Sequence, residues 1–199
     1  MSFDDDSMRA LIQQLSPAQR GAAGAAALDR IRVVLDVDLE VDTLDETRRV
    51  VDEAVRVGLE QAAGRGSGNA GTVLSALRAL LPDEADEDPF VGDEEWTVNV
   101  MTVALNAVLG GLSDGDSARF CFNALHCSYS VAGYLEDDLN VPYDQPYSDG
   151  EADQQMADIR YLADLGRAVD DDAIDHLRSS SNHLRDGYAT RMRQVIEFF

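Results

Sequence analysis

Asp172, His176 and His183 are the residues whose types come closest to a metal-ligand set: the two histidines are seven apart, and Asp172 lies one turn before His176. On one continuous helix the three would share a face. The set spreads over too many turns to close around one ion, and no H-E-x-x-H or E-x-x-H pattern accompanies it. A solvated polar face is therefore expected there. His126 beside Cys127 suggests a thiolate–imidazole pair, but neighbouring helical residues point about 100° apart and do not face each other. Ser128 and Ser130 flank Tyr129 without a G-x-S-x-G elbow, so no hydrolase serine is indicated. The run Gly64-Arg65-Gly66-Ser67-Gly68-Asn69 has the glycines of a phosphate loop, but no strand before it and no Gly-Lys-Ser/Thr after it. It reads as a connector. Carboxylates are so numerous that no pair of them is diagnostic of acid–base catalysis. No catalytic, cofactor-binding or metal-binding residue is assigned, and no cofactor is expected.

The elements that would position these residues are all helical. Apolar residues recur at three- and four-residue spacing along nearly the whole chain, and strict alternation is scarce. After an N-terminal segment, 1–15, Ser16-Pro17 supplies a hydroxyl cap and a first-turn proline for a helix reaching about Asp36. Gly21 and Gly24 would each cost it about 1 kcal/mol relative to alanine, so close approach of another helix is expected at them. Asp42-Thr43 opens a second long helix from Leu44 to Leu59. A shorter one covers about Thr72 to Leu81.

Residues 83–95 carry eight acids without helical periodicity and form an acidic loop. The loop lacks the D-x-D-x-D-G spacing that gathers oxygens around Ca²⁺. Trp96 opens a helix that Gly110 and Gly111 should end. The most apolar segment, about Ser117 to Leu135, should be central in the core, with Trp96, Phe120, Phe122, Tyr129 and Tyr134 as packing aromatics. A loop at 137–149 holds Tyr143 and Tyr147. Helices over about Glu151–Val169 and Asp171–Val195 follow, the last broken at Ser179–Ser181 or at Gly187. Short connectors favour antiparallel neighbours, hence an all-α, single-domain, up-down bundle of six or seven helices over residues 1–199.

Charge adds an environment. All 16 basic residues are arginine, against 27 Asp and 11 Glu, for a net charge of −22. Short carboxylates hold water and hydrated cations, and the absence of lysine removes long apolar stems from the surface, so a salt-adapted, halophilic cytoplasm is expected. Such a fold should loosen when salt is withdrawn and screening weakens. Nucleic acid is not an expected partner, because no Lys/Arg stripe is present to displace counterions. The acidic first residues do not resemble a secretory signal, and no apolar stretch is long enough to span a membrane. Cys121 and Cys127 fall on different helical faces and should be free thiols.

Several segments together resemble the YjaG-like family of small all-helical bacterial proteins. They are Leu15-Ser16-Pro17 with Arg20, Ala22, Ala23 and Arg30; the helix from Leu44 to Leu59; the helix pair across Ser113-Asp114-Gly115-Asp116; Glu151-Ala152-Asp153-Gln154; and Leu184-Arg185-Asp186-Gly187. Val57-Gly58-Leu59 lacks the aromatic that the family places there. The resemblance implies a helical fold and no catalytic residues, since the family carries no established activity.

The expectation is a non-enzymatic protein acting by contact with another protein, as an immunity-type or regulatory factor whose acidic surface masks a basic target. Self-association along the Gly21/Gly24 or alanine-rich face of the first long helix is a further expectation. The alternative is a small-molecule-binding or hydrolytic bundle with a site between helices near residues 129–147, around Tyr129, Tyr134, Tyr143 and Tyr147.

Overall fold

A computed structural model describes residues 4–36, 44–66, 68–81, 95–112, 115–137 and 146–196. Among the described residues every regular element is helical: α1 (Asp5–Gln14), α2 (Pro17–Ile31), α3 (Leu44–Ala62), α4 (Ala70–Leu80), α5 (Glu95–Leu112), α6 (Ser117–Asp137), α7 (Tyr147–Asp164), α8 (Asp171–Ser180) and α9 (Asn182–Ile196). The helical class agrees with the periodicity. The number of helices exceeds the six or seven expected, for two local reasons. Asp4 caps an extra first helix, Asp5–Gln14, within the N-terminal segment by accepting from the amides of Asp6 and Ser7. The C-terminal helix divides at Ser181, whose hydroxyl donates to the Leu177 carbonyl, while Gly187 lies inside α9. The acidic loop lies outside the described residues up to Glu94, as does most of the 137–149 loop, including Tyr143.

α2 is the axis of the fold. Ser16 and Gln19 form a reciprocal capping box with Pro17 in the first turn, as the sequence indicates. The α-helix ends at Ile31 and tightens into a 3₁₀ turn over Arg32–Leu35. Every residue from Gly21 to Ile31 is buried, and α2 touches α3, α5, α6, α7, α8 and α9. Small side chains make this possible: a Cβ on Gly24 would sit 3.5 Å from the Ala124 Cβ and 3.7 Å from the Ala107 Cα. The Gly21/Gly24 face is therefore spent on α3, α5 and α6 within the chain and cannot also be a dimer seam. Leu28 and Ile31, wholly buried below it, each contribute about 1.5–3 kcal/mol of apolar burial.

α5 and α6 pack as a pair against α2. Gly110 and Gly111 do not end α5, which runs to Leu112. The missing side chain of Gly111 instead admits Gln61 of α3, whose Cβ would lie only 2.9 Å from a Cβ there. α3 ends in a Schellman motif, with the Arg65 amide donating to the Glu60 carbonyl and the Gly64 amide to that of Gln61 (each 2.9 Å). Gly64 takes φ +70° there, the left-handed region that favours glycine. The motif directs Arg65 toward α8. α7 begins at Tyr147, one turn earlier than expected, and stops at Asp164. No helix among the described residues is long and apolar enough to cross a membrane.

Candidate functional site

The interior is not purely apolar. Arg30, fully buried on α2, donates from Nε and Nη2 to Glu151 on α7 (3.1 and 2.9 Å) and from Nη1 to Asp158 one helical layer on (2.6 Å). Glu151 also accepts from Ser128 Oγ on α6 (2.8 Å), Gln155 Nε2 (2.9 Å) and the Tyr188 hydroxyl on α9 (2.8 Å). Asp158 accepts a further bond from Gln154 Nε2 (2.8 Å). Four helices thus meet at one bidentate guanidinium–carboxylate pair. Burial penalises the charged Glu151, but attraction to Arg30 and the converging donors outweigh it and hold the carboxyl below its usual range. For Asp158 burial wins and its pKa is raised. Tyr188 is pushed well above the ordinary phenol value by burial and by the charge of Glu151.

The preceding residue, Asp29, about 100° round α2 from Arg30, begins a second network. Its buried carboxylate accepts from Arg32 Nε (3.1 Å), Arg178 Nε on α8 (3.1 Å) and Arg185 Nη1 on α9 (3.3 Å). Arg32 continues to Asp52 on α3 (2.6 Å). This network reaches the surface in a groove of about 550 Å³ between α3 and α8, floored by Val55, Leu59 and Ile174. Arg56, Glu60, Arg65 and Asp171 line its walls, Arg56 pairing with Glu60 (2.6 Å) and Arg65 with Asp171. The chain is strongly acidic, yet guanidinium and carboxylate groups nearly balance along this lining.

The residues singled out by sequence do not assemble. Asp172 and His176 are exposed on α8, and His176 stacks on Tyr161 of α7 with ring centroids 3.9 Å apart. The break at Ser181 places His183 on a different helix, which removes the shared face assumed for the trio. Among the described residues no group of three or more His, Cys, Asp or Glu is placed to hold a metal ion.

His126 stacks on Phe122 (5.8 Å) and lies 4.0 Å from Asp5. Burial raises the Cys127 thiol, the reverse of nucleophile activation, and pushes the free, buried Cys121 up to about 12. Ser130 donates to the His126 carbonyl, 3.1 Å away. Of the tyrosines proposed to line a site, Tyr147 is buried against Tyr188, while Tyr129 and Tyr134 are half-buried on α6. Phe122 is core and Phe120 half-buried; the Trp96 side chain lies outside the described residues.

Two signals point to the polar residues that local motifs pass over. Asp29-Arg30 interrupts a stretch from Ala22 to Val34 that is otherwise nearly all apolar, and a charged pair there must find partners in the core. Glu151, Gln155 and Asp158 follow the i, i+4, i+7 spacing of one helical face. Compared with known proteins, the chain matches no family model, no curated protein and no solved structure.

Proposed function

We propose that this protein, as a single up-and-down helical domain in a salt-rich cytoplasm, acts without catalysis by binding another protein, as an immunity-type or regulatory factor. The observation that supports the reading is the groove between α3 and α8, where charges of both signs are held in place by mutual pairing and by the buried Asp29. Fixed charges confer specificity because a partner meets them without first ordering them. The surrounding carboxylate surface favours a basic partner, which it would steer toward the groove. The buried polar side chains do not compete with this reading as a reactive centre, since Glu151 is already saturated by five hydrogen bonds.

Affinity capture from native cytosol at native salt tests the reading, with wild type compared against Asp175→Arg, a charge reversal in the groove lining. A stoichiometric basic protein held by wild type and lost by the variant is the expected result. A retained metabolite or metal with no protein, or a partner indifferent to the variant, would overturn it and favour a small-molecule-binding bundle.

A further inference from the structure

A chain of side chains leads from the enclosed network to the end of α8. Asp158 Oδ2 accepts from Arg30 Nη1 (2.6 Å), and its Oδ1 accepts from Gln154 Nε2 (2.8 Å) one turn earlier on α7. The same Gln154 nitrogen donates to Ser180 Oγ (3.2 Å), and Ser180 in turn donates its hydroxyl to the Leu177 carbonyl (3.1 Å) in the last turn of α8. The Asp158 side chain is only 4% exposed. Gln154 and Ser180 are half-buried, so the amide and the hydroxyl can turn without opening the core.

An ionised carboxylate only accepts, whereas a protonated one must also donate. Both oxygens of Asp158 already face N–H groups, so a proton on either displaces a donor. Arg30 carries a full charge and makes the stronger bond, which leaves the proton on Oδ1. There it meets the Gln154 amino group, donor against donor. Turning the carboxamide over presents Oε1 in its place, and Ser180 then faces an acceptor. We infer that Asp158 is a proton-operated switch for the end of α8: one proton taken up from water reverses the hydrogen bonds through Gln154 and Ser180 and draws the Ser180 hydroxyl off the Leu177 carbonyl.

Leu177 still accepts from Ser181 Oγ (3.1 Å), so α8 persists and only its last turn is released. The charged groups around Asp158 are Arg30 from α2 and Glu151 from α7 itself, while Ser128 of α6 and Tyr188 of α9 approach through Glu151. From α8 the chain receives only the neutral Ser180. Burial favours the neutral acid and outweighs the pull of Arg30. Arg178, next to Leu177, lines the groove between α3 and α8. The protonation state of the core thus reaches a wall of that groove, a consequence for binding that rests on the reading proposed above.

Carbon and nitrogen chemical shifts of the full chain, followed through an acid titration at fixed KCl, test the switch. The Asp158 carboxyl carbon, the Gln154 side-chain nitrogen and the Leu177 carbonyl carbon should shift with one shared midpoint above the ordinary aspartate value of 3.8. In Asp158→Asn the Leu177 shift at that midpoint should vanish. In Gln154→Leu, Asp158 should still titrate and Leu177 no longer follow; in Ser180→Ala, Gln154 should follow and Leu177 should not. Both relay positions are half-buried, and they carry the test if Asp158→Asn does not fold. Asp175→Asn, which removes an exposed acid of α8, should leave the shift in place. A Leu177 shift that survives in either relay variant, or a Gln154 nitrogen unmoved as Asp158 titrates, would overturn the switch. The switch and the protein-contact reading fail separately, because the titration needs no partner and capture needs no change of pH.

Discussion

Asp29 and Arg30 are consecutive residues of α2, yet their networks live under different physics. Arg30 is wholly enclosed with Glu151 and nearly so with Asp158, whereas Asp29 is tied to arginines that reach solvent. In the enclosed network the cost of removing charges from water is met only because each charge finds an opposite charge and several hydrogen bonds. In the outer network water and ions share that task, so each pair contributes little to stability and its arginines stay in contact with solvent. The same residue types therefore make an enclosed network inside the fold at one position of the helix and a solvent-reaching one at the next.

Removal of Arg30 should produce the largest effect. Arg30→Ala strands two carboxylates in the core, and a loss of about 3–5 kcal/mol in denaturant unfolding is expected. A loss below about 1 kcal/mol would erase the contrast between the networks. Tyr188→Phe comes next, because it takes one donor from the charged Glu151 without opening a large cavity. A loss of about 1.5–3 kcal/mol in the same assay is expected.

Acid sharpens the comparison within the enclosed network itself. Glu151 has its folded pKa depressed, so its contribution is present above the ordinary value of 4.5 and lost as pH falls through the lower folded value. Asp158 has the opposite sign. Its raised folded pKa lets the native state take up a proton first, which favours folding as pH falls toward 3.8. Stability against pH should therefore show a shallow gain before the acid loss. Glu151→Gln should flatten the loss below about pH 4.5, and a profile identical to wild type would count against the assigned role.

The smallest effect is expected in the outer network. Arg178→Ala should cost less than about 1 kcal/mol, since the side chain is nearly half exposed and its pairing is screened. A loss approaching that of Arg30→Ala would show the outer network to be as structural as the enclosed one.

The helical class and most element starts are legible in the sequence, because they depend on local rules. Ser16-Pro17 caps α2, the Leu44 pattern opens α3, and the glycines at 21 and 24 mark close helix contact, each as the structure has it. α1 escapes notice because its start depends on Asp4, one acid among several in a charged segment. Gly110 and Gly111 read as a helix stop, since the neighbours that make small residues useful there come from elsewhere in the chain.

The networks themselves are less legible. Arg30 lies 121 residues from Glu151, and Asp29 lies 149 from Arg178, so no local motif joins either pair. Charged residues inside an apolar stretch signal that partners must exist. They do not say which of 38 acids or 16 arginines supplies them.

Unfolding free energies of Arg30→Ala and Arg178→Ala, each measured against wild type across a KCl series, test the division most directly. Wild type itself should gain stability with salt as its −22 charge is screened. The deficit of Arg30→Ala should stay constant over the series, because ions do not reach the enclosed network, while the small deficit of Arg178→Ala should shrink toward zero. Two deficits that fall in parallel would contradict the account.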